Sequence, residues 1–131
     1  MWSKIKHTNF SSSWKSSRKP RKQRNYRKNS PLHIKQKFVH SHLSKELRKK
    51  FKKRSIALRK GDKVKIMVGK FRKHEGRIEK IDIKLGRAFV NGVEITRKDG
   101  TKKWLPLDPS NLLITELNLE DKFRQKILER K

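Results

Sequence analysis

From Leu58 to Ile83 the chain reads LRKGDKVKIMVGKFRKHEGRIEKIDI, with apolar and polar residues alternating on both sides of a basic loop. Val64, Ile66 and Val68 alternate with Lys63, Lys65 and Met67 after a Gly61-Asp62 turn, which is the period of a half-buried strand. Gly76 precedes a second strand carrying Ile78, Ile81 and Ile83, and the change of phase between Ile78 and Ile81 predicts a β-bulge. Leu85-Gly86 is a turn, and Arg87 to Thr96 is a third strand. Asn91-Gly92 inside it reads locally as a hairpin turn. Splitting there leaves strands of only about four residues, so a single strand bent at Gly92 is the better reading. The hairpin then falls at Lys98-Asp99-Gly100-Thr101, where Asp-Gly suits a type I′ turn. Lys102 to Leu107 returns as a fourth strand, confined to an edge or an end by Pro106 and Pro109. Asp108-Pro109-Ser110-Asn111 is a helical turn and Leu112 to Thr115 a fifth strand. Five short strands between residues 58 and 116 predict a mainly-β unit, a small SH3-like barrel, with an OB-fold as the alternative.

The helical period appears only on the flanks. Ser30-Pro31 is a start signal for a short helix through Leu32, Lys35 and Phe38, ending near His40. Ser44 is a second N-cap, opening KELRKKFKKR, where Leu47 and Phe51 lie four apart on one face. Asn118 reads as the N-cap of a C-terminal helix over 117–131, with Asp121 in a capping-box position. Leu119, Phe123 and Ile127 recur every four residues, with Leu128 beside them, and that face should pack on the barrel or on a partner. Residues 1–29 show neither period and read as an extended basic arm; residues 30–57 read as short basic helices.

Charge sharpens this division. The chain has 131 residues, with 39 Lys and Arg against 12 Asp and Glu, a net charge of +27. Residues 1–60 hold 21 of the cations and a single acid, Glu46; residues 61–131 hold 18 cations and 11 acids. The first half repels itself unless a polyanion neutralises it, and nucleic acid is the leading candidate. Trp14 and Tyr26 stand among the cations of the arm, where aromatic rings can stack on unpaired bases while Arg and Lys hold phosphates. In the loop Gly69-Lys70-Phe71-Arg72-Lys73-His74-Glu75-Gly76, the glycines permit positive φ or close backbone approach. Read functionally, Lys70, Arg72, Lys73 and His74 face phosphate; the plainer reading is an ordinary β-hairpin with surface lysines. Phe71 either stacks or fills the barrel rim, and the rim is preferred.

With its flanks, this loop resembles the KOW motif: apolar strand, glycine, basic loop, glycine, apolar strand, with Gly76 at the motif's defining glycine. LSKELRKKFKKRSIALRKGDKV (43–64), KDGTKKWLPLDPSNLLITELNL (98–119) and KFRQKILERK (122–131) resemble the KOW-containing large-subunit ribosomal proteins, universal number twenty-four, in their archaeal and eukaryotic form. The resemblance covers residues 31–131 and the basic register of 18–28. Lys73 stands where that family usually has a glycine, and residues 1–17 match nothing in it. The resemblance implies a structural protein of the cytoplasmic ribosome. It would bind large-subunit rRNA early in assembly and sit beside the polypeptide exit tunnel, among neighbouring large-subunit ribosomal proteins and tunnel docking factors. Carried onto this chain, the rRNA-binding positions are Arg18, Lys19, Arg21, Lys22, Arg24, Tyr26, Arg27 and Lys28 in the arm and Arg48, Lys49, Lys52 and Lys53 on the Ser44 helix. Arg54 and Arg59 follow on the way into the barrel, and Lys70, Arg72, Lys73 and His74 lie between the motif glycines Gly69 and Gly76. The hairpin around Lys98 to Lys103 matches the one that approaches the tunnel rim.

Other functions lack their residues. The chain has no cysteine, and its five histidines show no zinc-site spacing, so neither a metal site nor another cofactor is expected. No fingerprint of a nucleotide-binding glycine loop occurs, and no catalysis is assigned. No apolar run reaches the length of a membrane span. A KOW-type transcription elongation factor is the main alternative, but the first 60 residues leave no room for the upstream α/β domain that those proteins carry. A cationic membrane-active or chromatin-like protein is the other, and Leu47 with Phe51 is too narrow an apolar face for a membrane surface.

Overall fold

The computed structural model describes residues 10–11 and 16–130. Its first element corrects the reading of the arm: Pro20–Asn29 is a helix, α1. Pro20 stands at its start, and the run that follows is mostly Arg, Lys and Gln, which lose little rotamer freedom in a helix. Tyr26 anchors it, with its ring centroid 5.1 Å from that of Phe10 and 6.2 Å from that of Phe38. Ser30 does not cap the next helix. Its hydroxyl donates to the Tyr26 carbonyl and so closes α1. The next helix, α2, is Leu32–Phe38 and follows Pro31 without a side-chain cap.

Residues 30–57 also contain two strands that the alternation did not announce. Strand β1 is His40–Leu43, helix α3 is Lys45–Phe51 and strand β2 is Ser55–Ala57. The barrel strands follow: β3 Lys63–Ile66, β4 Glu75–Asp82, β5 Arg87–Val90, β6 Glu94–Thr96, β7 Lys102–Trp104 and β8 Leu112–Glu116. A 3₁₀ turn at Pro109–Asn111 leads into β8, and helix α4 is Lys122–Glu129. One sheet runs in the order β2-β1-β8-β3-β4-β5, and β6-β7 forms a separate hairpin. The β1–β8 pairing is parallel, which only a non-local contact can make. Ala88 bridges to Leu107 beyond the far edge of β5, so the sheet curls into a small barrel. Leu43, Val64, Ile66, Ile78, Val90, Leu112 and Ile114 fill it, each at most 2% exposed. Thus β1 contributes to the same core as the predicted strands.

The bulge lies where the change of phase put it, between Ile78 and Lys80. Other boundaries move. Strand β3 stops at Ile66, and Val68 is 59% exposed at the start of the loop. The third predicted strand is interrupted at Asn91-Gly92, but β5 and β6 do not pair with each other, so this is a corner between sheets rather than a hairpin. Gly92 takes φ +80° there. The β6–β7 turn is not type I′. Gly100 is left-handed at φ +82°, Asp99 is not, and the Gly100 N–H donates to the Arg97 carbonyl, as in a type I turn closed by a glycine bulge.

The C-terminal helix starts later and faces differently from the prediction. Asp121 is its N-cap, accepting from the Phe123 N–H at 2.9 Å, while Asn118 makes a separate turn by accepting from the Glu120 N–H. Phe123 is 76% exposed and Ile127 46%; the buried positions are Arg124 and Leu128. The reason is Asp62, which has no exposure at all. Its Oδ1 accepts from Arg124 Nη1 at 2.6 Å and from the Asn118 N–H at 2.9 Å. Its Oδ2 accepts from Arg124 Nη2 at 2.7 Å and from the Arg59 N–H at 2.9 Å. Arg124 donates further to the carbonyls of Asn118 and Ala57. This bidentate pair, with both carboxylate oxygens and both Nη atoms hydrogen-bonded, holds α4 with its arginine inward.

Removing one partner strands the other charge. Asp62→Ala is expected to cost about 3–5 kcal/mol, enough to unfold much of so small a domain. Asp62→Ala combined with Arg124→Leu should be less destabilised than the sum of the two single changes. Urea unfolding of the four proteins checks this; strict additivity would show that the pair is not a unit.

Candidate nucleic-acid interface

The basic loop is built by backbone pairing before any side chain is considered. The Ile66 N–H donates to the His74 carbonyl at 2.9 Å and the Lys73 N–H to the Ile66 carbonyl at 2.8 Å, closing its base. Arg72 N–H to Gly69 carbonyl and His74 N–H to Phe71 carbonyl form two successive tight turns. The two motif glycines serve different ends. Gly69 sits at φ +97° with open space around it, so it is needed for conformation. At Gly76 a Cβ would meet the Asn91 carbonyl oxygen at 2.7 Å and Val90 Cγ1 at 2.8 Å, so it is needed for close packing. Lys73, at the position of a family glycine, takes φ 72°: the lysine adopts the left-handed backbone a glycine would hold.

This frame leaves Lys70, Arg72 and Lys73 exposed. Phe71 packs against the core as a rim residue. His74 is half-buried, with Nε2 3.2 Å from the Asn91 carbonyl oxygen, so it ties the loop to the β5–β6 corner. The loop thus presents three cations, and its histidine is turned to the protein. Elsewhere on the barrel, three strand cations are matched by acids: Lys63 with Glu116 at 3.1 Å, Lys65 with Glu75 at 3.2 Å, and Arg87 with Asp108 at 2.8 Å.

Helix α3 is capped as expected, with Ser44 Oγ accepting from the Leu47 N–H at 3.3 Å. Leu47 and Phe51 pack on the core and turn Arg48, Lys49 and Lys52 outward. Lys52 ends the helix in the left-handed conformation, φ 53°, Lys53 is half-buried and Arg54 is exposed. Arg48 Nε also donates to the Leu43 carbonyl at 2.8 Å, which fixes its stem. Arg59 is exposed, 3.6 Å from Asp121. Helix α3 leaves β1 beside Ile114 and Val64, whereas the loop leaves β3 beyond Ile66. The two cationic stations therefore start from opposite ends of the sheet.

On the arm, Arg18, Lys19, Arg21, Lys22, Arg24, Arg27 and Lys28 are exposed. Tyr26 is half-buried, with its ring beside those of Phe10 and Phe38. Arg27 lies over the Phe38 ring at 5.5 Å. Trp14 lies outside the described residues. Sequence reasoning missed one cluster. A groove of 130 Å³ between α2 and the β4–β5 turn gathers Arg27, Lys35, Lys84 and Arg87 around a single acid, Asp108. No local pattern marks it, because its residues come from four distant segments. Among the histidines, partial burial holds His40 below its ordinary pKa of 6.5. No group of three metal-ligating side chains occurs among the described residues, and no described helix is long and apolar enough to cross a membrane.

A small curled barrel, with a glycine-framed cationic loop and cationic helices leading into it, defines a KOW-type small-barrel class of protein. Comparison narrows the class. The ribosomal-protein family that joins the eukaryotic L26 proteins with their archaeal L24 counterparts matches residues 17–131. Similar proteins include the large ribosomal subunit protein uL24 of Methanothrix thermoacetophila, 48% identical over 114 residues, covering 87% of this chain and 98% of that protein. The protein of the same name from Methanosphaera stadtmanae is 43% identical over 115 residues, covering 88% and 98%. The chain belongs to this family. It is a structural protein of the large ribosomal subunit, a cytoplasmic particle, and not an enzyme.

The left-handed backbone at Lys73 makes a specific prediction. Lys73→Gly should leave stability unchanged or raise it by up to about 1 kcal/mol, since glycine escapes the Cβ clash but gives up chain entropy. Lys73→Val should lower stability by more than about 1 kcal/mol, because a β-branched side chain is worst placed there. Equilibrium unfolding in urea separates the two; a glycine variant weaker than the valine one refutes the assignment.

Proposed function

We propose that this chain binds large-subunit rRNA through phosphate neutralisation and shape fit, with the loop Lys70, Arg72 and Lys73 as one station. The cations of α1 and α3 form two more. The carrying observation is the loop: three exposed cations, none of them in an ion pair among the described residues, on a backbone fixed by paired hydrogen bonds. Fixed cations meet phosphates without the ordering cost of a floppy tail. RNA selects such a surface by shape, sugar hydroxyls and looped-out bases, since its major groove is too narrow for side chains. The extra groove at Arg27, Lys35, Lys84 and Arg87 has the size and charge for one backbone phosphate.

The family resemblance supports the finer placing: an early-assembly protein beside the polypeptide exit tunnel, with neighbouring ribosomal proteins around it. The β6–β7 hairpin with Lys98 and Lys103 would face the tunnel rim and its docking factors. The resemblance to transcription elongation factors rests on the KOW stretch alone, whereas the ribosomal family spans residues 17–131, α1 to α4 included.

The test is a filter-binding titration of the full chain on the 5′ region of large-subunit rRNA, repeated across a range of KCl. Each phosphate contact contributes about 0.9 to the log–log salt slope on duplex and about 0.7 on single strands. Lys70→Gln, Arg72→Gln and Lys73→Gly together should flatten the slope by about 2–3 and weaken binding at low salt. An unchanged slope, with the variant still folded, removes the loop from the interface.

A further inference from the structure

Beyond the cationic stations lies a cleft of 570 Å³ whose chemistry is unlike theirs. Its floor is apolar: Val39, Leu58, Ile81 and Ile83, with Ala57 beside them. Its rim carries three cations, Arg59, Lys60 and Lys80, and three acids, Glu79, Glu120 and Asp121. In a chain where cations outnumber acids by 39 to 12, this balance sets the cleft apart. A quarter of the acids stand on one rim, and only Asp121 among them is in an ion pair, with Arg59, among the described residues.

Position separates it further from the RNA-facing loop. The loop joins β4 at Glu75, while the cleft takes its wall from Glu79 to Ile83, beyond the bulge at the other end of that strand. Arg124 also belongs to the cleft wall. Its two Nη atoms are bonded to Asp62 and to two carbonyls, but its buried Nε has no acceptor among the described residues.

We infer that this cleft is a protein-docking site. It takes one apolar side chain from an extended segment of a neighbouring ribosomal protein, whose peptide groups and basic residues meet the mixed rim. An RNA occupant is the less favoured, because three carboxylates would face its phosphates with no excess of cations to offset them. A peptide fits on each count. The apolar floor gives an anchor pocket. Glu79 and Glu120, each bonded to an asparagine amide rather than to a cation, attract lysine or arginine. The inference rests on the loop being the RNA face, and the two can fail separately.

The chain contains no cysteine, so Lys80→Cys on the exposed rim places a single thiol at the cleft. The full-length variant is labelled with a benzophenone maleimide and reassembled with large-subunit rRNA and proteins. The purified particle is then irradiated. The expected product is an RNase-resistant adduct to one short peptide of one other subunit protein, containing an apolar residue flanked by basic ones. Adding Ile83→Glu should reduce the adduct at least tenfold. Ile83→Ser is a milder second variant and should reduce it severalfold. Because Ile83 also lines the Arg27–Arg87 groove, the RNA reading is taken from the loop variants, whose fall in salt slope should be the same with and without Ile83→Ser. An adduct to rRNA, to this chain itself or to a second copy of it overturns the inference. So does an absent adduct in a particle shown to contain the labelled chain, or an adduct indifferent to Ile83. Loss of the salt slope in the loop variants with the adduct intact, or the reverse, tells failure of one reading from failure of the other.

Discussion

The paired carboxylate and guanidinium of Asp62 and Arg124 hold this fold to a single arrangement. Burying either alone would cost several kcal/mol. Together they join the turn before β3, the carbonyl end of β2, the Asn118 turn and α4. The Asp62 carbonyl meanwhile accepts from the Ile78 N–H, so the same residue ties down the middle of β4. A core drawn from so short a chain is thin, and a buried polar tie of this kind specifies register where apolar packing alone tolerates slippage. It also explains the orientation of α4: Arg124 and Leu128 go in, and Phe123 and Ile127 stay out.

Around that frame the protein manages an excess of positive charge. Several acids are used locally, each next to a cation of the barrel strands: Glu116, Glu75, Asp108 and Glu94. The surplus is exported to α1, α3 and the tip of the loop, whose only acid is Glu46 on α3. Free helices with this many like charges are weakened. Here Tyr26 against Phe38, and Leu47 with Phe51 against the core, dock them while leaving the charges outside. These apolar contacts hold the helices in place.

Several parts were legible because they depend on neighbours in sequence. The alternation of Val64 and Ile66, the bulge after Ile78, the Pro109 turn, the Ser44 cap and the glycine at residue 100 are local signals, and each stands where its pattern put it. The loop cations were legible too, as were the glycines framing them. What misled was local reasoning applied to non-local outcomes. The packing of Tyr26 against Phe10 and Phe38 was not legible, because those rings are distant in sequence. Asn118 looked like a cap because its side chain can bond the backbone two residues on, which it does, in a turn that only precedes the helix.

The sequence by itself determined the barrel strands, their approximate ends, the cationic loop and the charge that implies an RNA partner. These follow from period, turn chemistry and composition, which need no partner segment. Tertiary structure alone decided the rest. Strands β1 and β2 exist because β8 offers an edge to pair with, and seven residues of HSHL and SIA carry too little signal without it. The inward face of α4 follows an aspartate 62 positions earlier. The balanced cleft and the Arg27–Arg87 groove gather side chains that only the folded chain brings together, because charge and burial are properties of a surface and a surface exists only once the strands have met.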